Sequence, residues 1–143
     1  MFNYMKNSII QKIIDDEIEA LFICKQSDVN IAIDTDIYVP SYLIIESIFQ
    51  TAGRLVREYK QKQYGGYIVQ IKGLSFSKPI YCNTLITIKA KYISYNKKNE
   101  CSFVSISVTQ GNILLVNGAT LIIKQDSSIK EEFLNNSIFL TKG

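Results

Sequence analysis

The chain has 143 residues, 47% hydrophobic and 20% charged. That is the composition of one globular domain, large enough to bury about two-thirds of its unfolded surface without a disulfide or metal staple. The net charge of +3 is too mild to imply nucleic acid or an anionic membrane as partner, and the absence of histidine excludes Ser-His-Asp and Cys-His triads, His-ligated metals and any His general base from this chain.

Three cysteines, Cys24, Cys82 and Cys101, are odd in number and far apart. They read as reduced thiols, buried or neutral, and not as a disulfide framework or a zinc site. No cofactor or metal is expected. The first residues lack the apolar core of a signal peptide, and no run approaches about 18 apolar residues. The expected location is therefore the cytoplasm, with no membrane span.

In chain order, Met5, Ile9, Ile10, Ile13 and Ile14 fall at helical spacing and predict a short amphipathic helix within residues 1–17. Residues 18–25 (IEALFICK) read as a strand, which residues 30–34 (NIAID) extend or pair with. Pro40 suits the first turn of a helix, where its missing N–H costs nothing. Leu43, Ile44, Ile45, Ile48, Phe49, Ala52, Leu55 and Val56 follow. Apolar on most sides, this helix is expected to be buried. It turns polar from Arg57 and meets a break at Gly65–Gly66.

The second half reads as strands: 67–75 (YIVQIKGLS), 84–95 (TLITIKAKYISY), 101–109 (CSFVSISVT) and 113–123 (ILLVNGATLII). Turns fall at 96–99 (NKKN) and at Gln110-Gly111-Asn112. Alternation with short turns predicts an antiparallel meander, and residues 128–135 could add a helical turn to a variable tail, 125–143. One long apolar helix with five or more strands predicts an α+β domain in which a curved antiparallel sheet wraps the helix. A long open edge also predicts pairing with a second copy.

Glu46 is the main candidate for chemistry. It sits in YLIIESIFQ, among Leu43, Ile44, Ile45, Ile48 and Phe49. A carboxylate stripped of water there has a raised pKa and becomes a candidate acid or base. The plain alternative is a glutamate that surfaces at the helix edge or pairs with a buried Arg or Lys. Gln50 lies one turn on and can hydrogen-bond to Glu46 or a ligand. Gly53 follows on the same stripe and leaves space for something to approach. Asp34 and Asp36 read as capping or dipole partners of the helix. Gly65–Gly66 is a turn signal and only a weak phosphate-loop pattern. Lys97 and Lys98 read as solvated turn residues.

Three stretches resemble the hot-dog fold, and specifically the β-hydroxyacyl-acyl carrier protein dehydratase family. PSYLIIESIFQTAG, Pro40 to Gly53, is similar to the family's helix motif Pro-Gly-x-Leu-x-x-Glu-x-x-x-Gln-x-x-Gly. IKGLSFSKPIYCNTL, Ile71 to Leu85, resembles the strand segment with a Phe-x-x-Pro core, carried here by Phe76 and Pro79. GNILLVNGATLII, Gly111 to Ile123, is similar to the closing strand. The resemblance covers roughly residues 18–124. It implies a dimer with the active site at the subunit interface. A helix glutamate there pairs with a histidine from the other subunit, and a phosphopantetheine arm delivers the acyl chain. Glu46 and Gln50 match the helix positions, and Ser41, Gly53, Phe76 and Pro79 are the implied substrate-binding residues. Lys60, Lys62, Lys78 and Arg57 could dock an acidic carrier protein.

The departures matter as much. The family histidine falls at Ala32, and the family glycine after the helix proline is Ser41. Dehydration needs both a base and an acid, and one glutamate cannot easily be both. The resemblance therefore implies poor dehydration by this chain alone, with Ala32 as the place where a histidine would restore it. Three readings follow. The first is a dehydratase-like protein of fatty-acid or polyketide type, altered or completed by a related hot-dog subunit. The second is an acyl-CoA or acyl-carrier thioesterase using Glu46. The third is a non-catalytic acyl binder.

Overall fold

A computed structural model describes residues 8–25, 38–60 and 66–125. Its elements are β1 (Ser8–Ile14), β2 (Glu17–Ile23), α1 (Ser41–Lys60), β3 (Gly66–Lys72), β4 (Leu85–Asn96), β5 (Cys101–Gln110) and β6 (Ile113–Gln125). The six strands form one sheet in the order β1-β2-β4-β5-β6-β3, and every neighbouring pair is antiparallel. The expected α+β layout of a curved antiparallel sheet around one long helix is the one observed.

The predicted N-terminal helix is not there. Residues Ser8–Ile14 form a strand paired to β2. The isoleucines satisfy helical spacing, but their branched Cβ atoms favour a pleated strand. Asp15 and Asp16 then form a two-residue hairpin between the paired Ile14 and Glu17. Asp15 carries the positive φ, 53°, that primed hairpin turns require. The expectations for Ala32, Asp34, Asp36, Lys62, residues 30–34 and residues 128–135 lie outside the described residues.

β4, β5 and β6 form the expected meander, but β3 does not join it in chain order: it pairs with β6 at the far edge of the sheet, while β4 pairs with β2. On β5, Ser102, Val104, Ile106 and Val108 are buried and alternate with half-exposed residues. Ile18, Ala90, Ile106 and Ala119 form one buried row across four strands. Ala20, Ile88, Val108 and Val116 form the next. The β5–β6 turn is Gly111-Asn112, with Gly111 at φ 59°.

Between β2, second from one edge, and β3, the opposite edge, the chain runs through α1. The helix packs over β4, β2, β5 and β1. It buries Leu43, Ile44, Ile48, Ala52, Leu55 and Val56. It is not buried all round, as its composition suggested: Ile45 and Phe49 are only half-buried and Tyr42 is exposed. A six-stranded sheet covers one face of a helix, and the flank that carries Ile45 and Phe49 is left partly open. Among the described residues, no helix is long and apolar enough to cross a membrane.

At the helix C-terminal end, Tyr59 stacks on Tyr92 with ring centroids 4.3 Å apart. The Tyr92 hydroxyl shares a 2.7 Å hydrogen bond with the Ser102 hydroxyl in the interior. Burial pushes the Tyr92 phenol above its usual value, and the Ser102 bond partly opposes this. The fold thus favours the neutral phenol. Its contribution is fully present below the unfolded phenol pKa of about 10 and is lost as pH rises through the higher folded value.

Two predictions follow from this core. Ile88→Ala, fully buried, lowers unfolding free energy by about 2–5 kcal/mol, whereas Lys91→Ala on the exposed face changes it by less than about 0.5 kcal/mol, both read by urea titration. Tyr92→Phe strands the Ser102 hydroxyl and costs about 1–3 kcal/mol at pH 8. The same variant loses less stability than the wild type between pH 8 and pH 11, read from urea midpoints.

Candidate functional site

The stripe of Glu46, Gln50 and Gly53 runs along one flank of α1 at i, i+4 and i+7 spacing. Glu46 is half-buried, so it lies at the helix edge, not sealed in the core. The Gln50 amide Nε2 donates to Glu46 Oε1 at 3.1 Å. Gln50 itself is only 9% exposed. Its Oε1 is buried and is the one such side-chain atom without a hydrogen-bond partner among the described residues. A buried acceptor left unpaired costs free energy and calls for a donor. The amide orientation is fixed by the bond to the carboxylate, so this oxygen is the free end.

Below this pair, the helix interior is closed. The Thr51 hydroxyl donates to the Ser47 carbonyl at 2.7 Å, and both residues are buried. Above it, space is open: a Cβ added to Gly53 meets no atom within 4 Å. The stripe therefore combines a carboxylate, an unsatisfied amide oxygen and room for a reacting group.

The other sequence candidates lie apart from this pair along the chain. Ser41 is exposed at the first residue of the helix. Phe76 is half-buried and packs against the hydrophobic core, and Pro79 is exposed on the same connection between β3 and β4. Ser77 ties that connection to β6, with its N–H bonded to the Leu115 carbonyl at 2.9 Å and its hydroxyl to the Leu114 carbonyl at 2.9 Å. Lys78 is exposed and Arg57 half-buried. The cysteines form no disulfide with one another, Cys24 being buried and Cys82 and Cys101 half-buried.

One feature escapes the sequence. Tyr38 and Tyr81 meet at an isolated antiparallel bridge, with ring centroids 4.9 Å apart and planes at 36°. The hydrogen bond to Tyr81 is the main cause that holds the Tyr38 phenol above its usual pKa, followed by the Coulombic effect of the same neighbour. No periodic pattern links two residues so distant in the chain.

No family model and no curated relative matches the sequence. Solved structures do match the architecture. A hypothetical thioesterase from Streptococcus pneumoniae, solved with coenzyme A, superposes with TM-score 0.67 at 15% identity, over 84% of this chain and 89% of that one. A Streptococcus mutans protein bound to acetyl-CoA gives TM-score 0.67 at 13% identity, over 87% and 92%. Zebra fish thioesterase superfamily member 2 gives 0.68 at 8% identity, over 85% and 83%. This chain has the hot-dog fold. At such low identity the likeness establishes the fold alone, and function rests on the hot-dog site itself.

Proposed function

We propose that this hot-dog protein hydrolyses acyl-CoA thioesters, with Glu46 as general base and Gln50 as the residue that positions the attacking water. The observation that carries this reading is the buried, unpartnered Gln50 Oε1 beside the Glu46 carboxylate. A water that donates one hydrogen to Gln50 Oε1 and the other to Glu46 satisfies the orphan acceptor and is held for deprotonation. Its oxygen attacks the thioester carbonyl, the C–S bond breaks, and the proton taken by Glu46 passes to the departing thiolate. The products are a carboxylic acid and free CoA. The N-terminal end of α1 favours the negative charge that develops on the carbonyl oxygen. The Gly53 opening gives the acyl group room.

The dehydratase-like reading is less well supported. It needs a second proton-transferring group, and the chain has no histidine to supply it. The solved structures with this architecture include thioesterases. A carboxylate with a bound water suffices for hydrolysis, so the thioesterase reading needs no missing partner. A non-catalytic acyl binder would use the same stripe without turnover.

The same reading includes a dimer, formed with a second copy or a related hot-dog subunit. Strand β3 is an edge strand, and Tyr67, Val69 and Ile71 on it are exposed. An uncovered apolar edge invites strand pairing. The half-buried Ile45 and Phe49 flank of the helix is the other surface that a second copy would cover.

The catalytic test is a thiol-dye assay over a panel of acyl-CoA substrates. Glu46→Gln is expected to lower kcat by about 10²–10⁴-fold, and Gln50→Leu to lower kcat with a smaller change in KM. Unchanged hydrolysis in Glu46→Gln would refute the reading, and acyl-CoA binding without any turnover would leave the binder in its place. For the dimer, light scattering is expected to give twice the chain mass, and Val69→Lys with Ile71→Lys to shift it toward the monomer. A wild-type monomer at working concentration would contradict the dimer.

A further inference from the structure

The Tyr38–Tyr81 pair stands on a rigid base. The Val39 N–H donates to the Ile80 carbonyl at 2.7 Å, and Val39 and Ile80 are both buried. Alternation along each short segment then turns Tyr38 and Tyr81 outward. They remain 43% and 45% exposed, so neither ring is consumed by the core. Their rings lie 4.9 Å apart and tilted by 36°, and part of each ring surface stays open. Tyrosine offers large contact area at little cost in side-chain entropy. Aromatic faces held in this way suit a planar heteroaromatic ring.

The surroundings supply charge. Lys78 is exposed three residues before Tyr81. The Asn83 N–H donates to the Cys24 carbonyl at 2.7 Å, which brings exposed Lys25 beside the turn that follows Tyr81. An aromatic surface with two exposed lysines on the backbone segments beside it matches a purine nucleotide: the base stacks and the phosphates meet the cations.

We propose that Tyr38 and Tyr81 form the stacking platform for the adenine ring of CoA, with Lys78 and Lys25 at its phosphate end. This rests on the acyl-CoA reading above and sharpens it. The reach is adequate. Glu46 lies about 7.5 Å along the helix from Ser41, and Tyr38 precedes Ser41 by at most about 10 Å of extended chain. The pantetheine and pyrophosphate arm of CoA spans such a separation. The platform also selects the carrier. An acyl group on a carrier protein arrives on the same pantetheine arm without an adenine, so it gains nothing from the tyrosines.

The test uses the full chain and three probes: CoA, adenosine 3′,5′-bisphosphate and pantetheine. Calorimetry is expected to show CoA binding at least about tenfold tighter than pantetheine. Tyr38→Leu and Tyr81→Leu weaken CoA and the bisphosphate by roughly tenfold and leave pantetheine unchanged. The chain has no tryptophan, so Tyr81→Trp gives a single reporter that keeps the stacking face. Its emission is expected to be quenched by the bisphosphate, which guards against a leucine variant that fails to fold. Equal affinity for CoA and pantetheine, with no response of Tyr81→Trp to the bisphosphate, would overturn the proposal. Hydrolysis that proceeds alike on acyl-CoA and acyl-pantetheine, in wild type and both leucine variants, would remove the nucleotide platform and leave Glu46 in its role. Nucleotide binding without hydrolysis of any thioester would do the reverse.

Discussion

The traverse from β2 to β3 governs the rest of this molecule. β2 is second from one edge of the sheet and β3 is the other edge, so the chain between them must cross the sheet. It does so with a 20-residue helix. The helix can lie there because the inward residues of β2, β4 and β5 are Ile, Val, Ala and Phe, with only the mutually bonded Tyr92 and Ser102 as polar members, a surface without competing charge. Burial of Leu43, Ile48, Leu55 and Val56 against that surface fixes the rotation of the helix about its axis. Once the rotation is fixed, the stripe of Glu46, Gln50 and Gly53 is aimed at the uncovered flank. The position of Glu46 at the helix edge is thus a by-product of how the core is packed.

The same traverse explains the two exposed surfaces. A helix of this diameter, about 10–12 Å with side chains, cannot blanket six strands spaced about 4.8 Å apart. Among the described residues, edge strand β3 therefore keeps Tyr67, Val69 and Ile71 exposed, and one flank of the helix keeps Ile45 and Phe49 in partial contact with solvent. At the other end, the segment leading into the helix is pinned by the Val39–Ile80 bond, which sets the tyrosine pair at the surface.

How much of this the sequence discloses depends on the range of the interaction. The meander was legible because its determinants are local: alternation in LITIKAKYISYN and CSFVSISVT, and a Gly-Asn turn. The helix was legible from Pro40 and the apolar run after it, and the Glu46–Gln50 hydrogen bond from their four-residue spacing. The N-terminal segment misled because SIIQKII satisfies both periods over so few residues, and only pairing with EIEALFI decides between them. Between the two positions open to Glu46, desolvated or at the helix edge, the sequence does not decide, for a related reason. Sequence neighbours on a helix lie on different faces, so a residue flanked by isoleucines can still sit at the edge. The buried free end of Gln50 and the meeting of Tyr38 with Tyr81 are tertiary facts, which no local pattern encodes.

Gly53 carries a thermodynamic consequence. A glycine in a helix interior destabilises it by about 1 kcal/mol relative to alanine, because the unfolded chain has more backbone freedom to lose. Such a residue is ordinarily explained by a crowded neighbour or a left-handed backbone. Neither applies, since the position is helical and the volume beyond it is vacant. The helix is therefore less stable at this point than an alanine would make it, and Gly53→Ala is sterically free to recover that difference.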